Sequence, residues 1–239
     1  MILGAFTPEV SNNSYNVFAT DLVQGNTIIL EYFEPESSDD GVIHISEVIH
    51  GYVNIKNRGV GDSASCNVDV MCRPFGTNWE KEEKAVCLII MGEYAGSGSL
   101  INNTRQDFTP YILTARHNYF DTSGNTPNRN PATSIFRFHY WRPNCGSGTP
   151  NSSKSISGAT LRAQWTNTDF ALLELNTRPP VDWILYYAGW DRTTISAQPV
   201  TAIHHLSADA MKISRDDHTV ISSGNFWSVP HFEQGTIQP

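Results

Sequence analysis

His117 closes the stretch Thr114-Ala115-Arg116-His117, directly after the apolar run Tyr111-Ile112-Leu113. Threonine and alanine are small enough to let a strand stop and turn tightly. The spacing therefore places an imidazole at a strand end, where a rigid sheet can hold it facing a cleft. Imidazole is the side chain whose unperturbed pKa lies nearest working pH, which suits it to take and return a proton. Taken alone, a histidine is more often a surface or hydrogen-bonded structural residue, so a partner matters. Asp169 lies just before a second apolar run, in Thr166-Asn167-Thr168-Asp169-Phe170-Ala171-Leu172-Leu173-Glu174-Leu175. By itself it reads as a turn-forming aspartate at a strand start. Set against an imidazole, a partly buried carboxylate fixes the tautomer and stabilises the imidazolium that forms.

The elements that must position these two residues read as strands. Short apolar or alternating runs recur, separated by Gly, Pro, Asn, Asp and Ser, which is the all-β signature. Strands are expected over residues 27–33, 42–52, 85–91, 98–101, 111–115, 170–175, 200–204 and 219–221. The first two, joined by an acidic turn, read as a hairpin or meander over residues 26–52. Residues 134–141 alternate, with Phe136, Phe138 and Tyr140 on one face, and Leu161, Ala163 and Trp165 share a face of the next run. The nearly continuous run 170–175 is expected to be covered on both faces. Residues 118–130 and 142–157 read as long loops, 80–84 as a solvated charged turn, and the polar, Gly-rich residues 53–65 as a linker. No internal repeat of fixed period is present.

The 239 residues suffice for one large or two small cores, and 39% apolar with 17% charged residues is a globular composition. A net charge of −8 argues against nucleic acid or an anionic membrane as partner. No apolar run approaches the roughly 20 residues that a membrane-spanning helix needs. Met1-Ile2-Leu3-Gly4-Ala5 lacks the basic and long apolar regions of a signal peptide. Abundant Asn, Ser, Thr and Gly with scarce Lys is the usage of many exported β-proteins. The four cysteines, Cys66, Cys72, Cys87 and Cys145, allow three pairings. They show no Cys-x-x-Cys spacing and no histidine at finger spacing, which argues against zinc. Cys87 sits in an apolar run and reads as a small buried hydrophobe. His204 and His205 are adjacent, so in a strand they point to opposite faces, and they read as structural rather than metal-binding.

The two motifs, Thr-Ala-x-His followed by Asp-x-Ala-Leu-Leu-x-Leu, resemble the His and Asp motifs of trypsin-like serine proteases. Ser97-Gly98-Ser99-Leu100-Ile101 resembles the strand that precedes the histidine in that family. The match narrows at Ser63-Ala64-Ser65-Cys66-Asn67-Val68-Asp69-Val70-Met71-Cys72, which resembles the mature start of bacterial lysyl endopeptidases. Gly98-Ser99-Leu100-Ile101-Asn102-Asn103-Thr104, Ala188-Gly189-Trp190-Asp191-Arg192 and Ala202-Ile203-His204-His205 resemble the same family. The resemblance spans roughly residues 62–239.

It implies an all-β fold of the trypsin/chymotrypsin double-barrel class, with the second barrel truncated and an N-terminal β segment ahead of it. Residues 1–58 would be a propeptide-like segment and 59–239 the protease domain. The implied function is a secreted or periplasmic serine endopeptidase acting on protein or peptide substrates, with no cofactor and no metal. His117 would be the general base and Asp169 its orienter. The nucleophile would be the Ser of a Gly-x-Ser-Gly motif beyond Pro239, so residues 1–239 alone are expected not to hydrolyse peptides. Gly61-Asp62-Ser63-Ala64 and Gly96-Ser97-Gly98-Ser99 are decoys for that motif by position. The specificity pocket would also lie largely beyond Pro239, so a lysine preference is not carried over.

The family joins the strand before the His to the residue after it by a disulfide. Gly96 and Asn118 stand at those positions here. Cys72 and Cys145 match a family disulfide, and Cys66 matches a cysteine whose partner lies beyond Pro239. Cleavage in the linker, after Lys56 or Arg58, would release a chain starting near Gly59. Two alternatives stand beside the enzyme: a non-catalytic, protease-like binding module, and a plain β-sandwich adhesion domain in which His117 and Asp169 lie apart.

Overall fold

The structure, a computed structural model, describes residues 3–4, 6, 17–23, 25–34, 36, 41–49, 63, 65–121, 126–151 and 153–237. It is all-β, with only single turns of 3₁₀ helix. The strands are β1 (Val68–Asp69), β2 (Val86–Met91), β3 (Tyr94–Ile101), β4 (Tyr111–Ala115), β5 (Ile135–Phe138), β6 (Ser155–Ser157), β7 (Ala159–Trp165), β8 (Phe170–Leu175), β9 (Val200–His204), β10 (Lys212–Asp216), β11 (Ile221–Ser223) and β12 (Phe226–Ser228).

One sheet has the order β6-β5-β2-β3-β4-β8-β7, antiparallel throughout. Its two outer strands are consecutive in the chain, separated by Gly158 alone. The Gly158 N–H donates to the Ser134 carbonyl (2.8 Å), and its carbonyl accepts from the Asn176 N–H (3.1 Å). One bent strand thus pairs with β5 before the glycine and with β8 after it, and the sheet closes into a barrel without free edges. The bend requires glycine: φ is +82°, and a Cβ would lie 2.7 Å from Asn176 Nδ2.

The barrel is filled by Cys87, Ile89, Met91, Leu100, Ile112, Tyr119, Phe120, Phe136, Phe138, Ile156, Ala159, Leu173 and Leu175. Trp183, Leu185 and Tyr187 pack against this cluster. The outward residues of β2 are also covered: Leu88 and Ile90 pack with Ile135 and Tyr140, against Leu22 and Ala208. The strands covered on both faces are therefore β2 and its neighbour β5, buried at every residue. In β8, expected to be so covered, only Ala171, Leu173 and Leu175 are buried, because its alternate residues face partly open surface.

A second, three-stranded sheet has the order β1-β10-β9, and β11 pairs with β12. Its apolar cluster is small: Val70, Val86, Met211 and Ile213. Beside it lie buried charges. Lys212 is ion-paired with Asp69 and, at 3.0 Å, with Asp209, and Arg142 approaches both carboxylates.

Several expectations are corrected. The strands of the 26–52 hairpin are absent among the described residues, since 27–34 and 41–49 carry no strand. Their apolar side chains remain in solvent, Ile29 at 90% and Val42 at 89% exposure, and an isolated two-stranded hairpin has too little to bury. Tyr140 does not share the barrel face of Phe136 and Phe138, because His139 turns the chain with φ +54°. A bulge between Leu161 and Ala163 breaks the expected alternation of β7 and leaves Trp165 exposed. Residues 82–84 form a helical turn that buries Glu83, not a solvated one. Strand β6 occupies part of the expected 142–157 loop, and β11 begins two residues later than expected. Strand β10 was missed because Lys212, Ser214 and Asp216 disguise a buried strand as polar sequence. Residues 50–52 of the expected 42–52 strand, and 53–62 and 64 of the linker, with Lys56, Arg58 and Gly59, lie outside the described residues.

Candidate active site

His117 lies on the 3₁₀ turn Arg116–Asn118 that follows β4, and Asp169 ends the turn Thr166–Thr168 that leads into β8. Strands β4 and β8 are antiparallel neighbours with Ala115 opposite Phe170, so the end of one is the start of the other. Sheet register alone therefore brings the two turns together. The Arg116 N–H donates to the Asp169 carbonyl at 2.7 Å and fixes the turns to each other. Asp169 adopts φ +49°, a left-handed conformation that aspartate tolerates better than most residues.

His117 Nδ1 lies 2.6 Å from Asp169 Oδ2, and the His117 backbone N–H donates to Asp169 Oδ1 at 2.9 Å. Both carboxylate oxygens are thus spent on the same residue, one on its ring and one on its backbone. The imidazole cannot swing without breaking the first bond, and the loop cannot shift without breaking the second. With Nδ1 held by an anion, Nδ1 carries the proton and Nε2 is left as the basic edge. The imidazole is 58% exposed, so that edge is open to a reactant. The β-sandwich alternative, which required the two side chains to lie apart, fails on this distance.

The candidate nucleophiles dismissed by position are also occupied elsewhere. Ser63 Oγ donates to Asp209 Oδ2 at 2.5 Å, and Ser97 Oγ accepts from the His205 N–H at 2.8 Å. The family model for the lysyl endopeptidase C-terminal domain matches residues 60–239. The chain belongs to this family. Solved structures similar to it include the Rv3671c protease in an inactive form, at 14% identity and TM-score 0.36, over 57% of this chain and 52% of that one. Another is a serine-to-alanine mutant of Rv3671c from M. tuberculosis H37Rv, also inactive, at 13% identity and TM-score 0.37, over 66% and 58%. The chain thus spans little more than half the length of either.

Two of the blocks that resemble lysyl endopeptidases, 98–104 and 188–192, meet in space. Ile101 bridges Ala188, and Trp190 Nε1 donates to the Asn102 carbonyl at 2.9 Å. The disulfide implied by the resemblance is present, joining Cys72 to Cys145 with Cα atoms 4.5 Å apart. Cys66 is free and exposed, and Cys87 is free and buried, its thiol pKa raised by burial. His204 and His205 are both buried with different partners, Ser214 Oγ at 3.1 Å and the Asp209 carbonyl at 3.0 Å. Burial pushes each imidazole down to about 4, so both stay neutral in the fold.

Where the family has a disulfide beside its histidine, this chain has a glycine against an amide. A Cβ on Gly96 would lie 2.8 Å from Asn118 Nδ2, so the Asn118 side chain fills the space. Asn118 Nδ2 also donates to Thr114 Oγ1 at 2.9 Å, and Thr114 Oγ1 donates to the Ser97 carbonyl at 2.8 Å. A polar chain therefore ties the histidine turn back to β3.

Two arginines escaped the sequence analysis as site residues. Arg116, beside the histidine, is 3% exposed. Its Nε donates to Gln164 Oε1 at 2.7 Å, and its guanidinium lies over the Phe120 ring. It anchors the turn to β7. Arg129 donates to the Asn118 carbonyl at 3.0 Å and stacks 3.7 Å from the Tyr94 ring centre, clamping the turn from outside. Adjacency to His117 marked Arg116 as unusual. Nothing in the loop sequence marks Arg129, because its partners are backbone atoms and a distant ring.

Proposed function

We propose that this protein is a secreted serine endopeptidase that hydrolyses peptide bonds through an acyl-enzyme. The observation that carries this reading is the doubly anchored pair, His117 Nδ1 at 2.6 Å from Asp169 Oδ2, with the opposite ring edge left open. The nucleophile is a serine in a Gly-x-Ser-Gly motif encoded beyond Pro239. Its Oγ forms a bond to the scissile carbonyl carbon while its proton passes to His117 Nε2. The imidazolium then gives that proton to the leaving amine as the C–N bond breaks. Water, deprotonated by the same Nε2, releases the acyl group. Asp169 stays ionised throughout, and backbone N–H groups of the serine loop hold the oxyanion. Lysyl endopeptidase kinship supports protein or peptide as the substrate class.

The test compares residues 1–239 with the chain extended through its natural downstream sequence, each assayed on a peptide library. Only the extended form should hydrolyse. In it, His117→Ala should lower turnover on the order of 10⁶-fold, and Asp169→Asn about 10⁴-fold. A folded extended chain without hydrolysis makes the protein a non-catalytic, protease-like binding module instead.

A further inference from the structure

Away from the His117 edge of the barrel, the end of β10 carries a second cluster of ligand-type side chains. One ligand atom from each of His218, His231 and Glu233 lies within 4.8 Å of the other two. Glu233 Oε1 is 2.7 Å from His218 Nδ1 and 3.6 Å from His231 Nδ1. Asp216 Oδ1 reaches His218 Nδ1 from the other side at 3.0 Å. One ring nitrogen is therefore faced by two carboxylates and can offer them a single proton.

Asp216 adds an independent sign. Its side chain is fully buried, and its Oδ2 has no hydrogen-bond donor among the described residues. The His231 backbone N–H also acts on this carboxylate and helps hold its pKa down. A buried carboxylate oxygen without a donor is costly, and a cation within the cluster would relieve it.

The side chains are held by backbone, not by chance. The Arg215 N–H donates to the Gln234 carbonyl at 2.9 Å, and the Glu233 N–H to the Arg215 carbonyl at 3.0 Å. The Asp217 N–H holds Glu233 Oε2 at 2.8 Å, and the His218 N–H holds Asp216 Oδ1 at 2.7 Å. The second oxygen of one carboxylate and the backbone around the other are thus fixed, as in metal sites whose ligands are oriented from behind.

We propose that His218, His231 and Glu233, with Asp216 as fourth ligand, bind one divalent transition metal of the zinc class. Two imidazoles and carboxylate oxygen form a borderline donor set suited to Zn²⁺ and poor for Ca²⁺ or Mg²⁺. Tetrahedral bonds of about 2.0–2.2 Å place ligand atoms about 3.3–3.5 Å apart. Glu233 Oε1 to His218 Nδ1 at 2.7 Å, Asp216 Oδ1 to His218 Nδ1 at 3.0 Å and Glu233 Oε1 to His231 Nδ1 at 3.6 Å lie around that spacing, and the two imidazoles come within 4.8 Å of each other, so side-chain rotation brings the set together. The metal would clamp β10 to residues 231–234. This role is independent of the peptidase reading.

The test uses the full chain stripped with EDTA and titrated with zinc chloride by calorimetry, and with cobalt chloride by visible spectroscopy. One Zn²⁺ per chain and the visible absorption of tetrahedral Co²⁺ are expected. His231→Ala and Glu233→Gln should weaken zinc by about a hundredfold or more, and Asp216→Asn by about 10–100-fold. His44→Ala, an exposed histidine outside the cluster, should change nothing. Glu233→Gln and Asp216→Asn preserve shape, so circular dichroism separates lost binding from lost fold. No binding, or zinc binding equal in wild type, His231→Ala and Glu233→Gln, overturns the proposal.

Discussion

The closed barrel and the three-stranded sheet solve the problem of burial in different ways. The barrel returns on itself at Gly158, where β6, paired with β5, runs on into β7, paired with β8, and its interior is filled by apolar side chains. The sheet β1-β10-β9 is open at both sides, its apolar cluster is small, and its buried side chains include Asp69, Asp209, Lys212, His204 and His205. A disulfide from Cys72 to Cys145 ties the segment after β1 to the loop after β5. The His117–Asp169 pair stands wholly on the barrel, on two strands fixed by register. The difference teaches that the barrel can hold the His117–Asp169 pair in place by itself. The second region depends on charge pairing, on a covalent link and, in our proposal, on a metal.

Substitutions can break that contrast. Lys212→Ala should destabilise the second region by about 3–5 kcal/mol, because it removes the closer of the two cations that pair with buried Asp69 and Asp209 and leaves them only Arg142 at 3.4 and 3.5 Å. Phe136→Ala, in the barrel, should lose about 3–5 kcal/mol by leaving a cavity among apolar neighbours. The two should differ in kind. Hydrogen exchange should show Lys212→Ala exposing β9 and β10 amides while β2 to β5 stay protected, and Phe136→Ala exposing the barrel. If both variants open both regions equally, the chain is one cooperative unit and the contrast is false.

Acid sharpens the same contrast. His204 and His205 titrate near 4 in the fold and near 6.5 when unfolded, so the unfolded chain binds more protons between those values. Stability from these groups is fully present above about pH 6.5 and falls as pH drops toward 4, by on the order of a few kcal/mol. Stepwise acidification followed by exchange should release β9 and β10, which two such histidines serve, before barrel strand β5, beside which His139 alone is held down to about 4 by burial. Equal loss across the barrel would contradict this.

A stabilising change tests the barrel alone. A Cβ on Gly96 would lie 3.1 Å from Asn118 Cγ, close to the spacing of a Cβ from the far sulfur of a disulfide. Gly96→Cys with Asn118→Cys should form that bond under oxidation and raise stability by about 2–4 kcal/mol. Four thiols in a thiol assay of the unfolded, oxidised variant, instead of the two of Cys66 and Cys87, would refute it. The smallest effect is expected at Arg162, whose pair with Glu174 is half exposed. Arg162→Ala should cost less than about 1 kcal/mol in thermal unfolding.

The sequence by itself determined the all-β class, the strand Tyr111–Ala115 to the residue, and the two residues of the pair. These are local facts: an apolar run followed by small residues and a histidine, and an aspartate before a second run. The resemblance to lysyl endopeptidases rested on equally local blocks. Only the tertiary structure decided that β4 and β8 are neighbours, since Tyr111 meets Glu174 across a separation that no periodicity reports. It also decided which strands are covered twice, because β2 and β8 are both apolar runs and only packing distinguishes them. The 26–52 hairpin shows the converse. Its apolar residues have strand propensity, and without a surface to bury against they form no strand among the described residues. His218, His231 and Glu233 carried no spacing signal, because backbone pairing between Arg215 and Gln234, not a motif, brings them together.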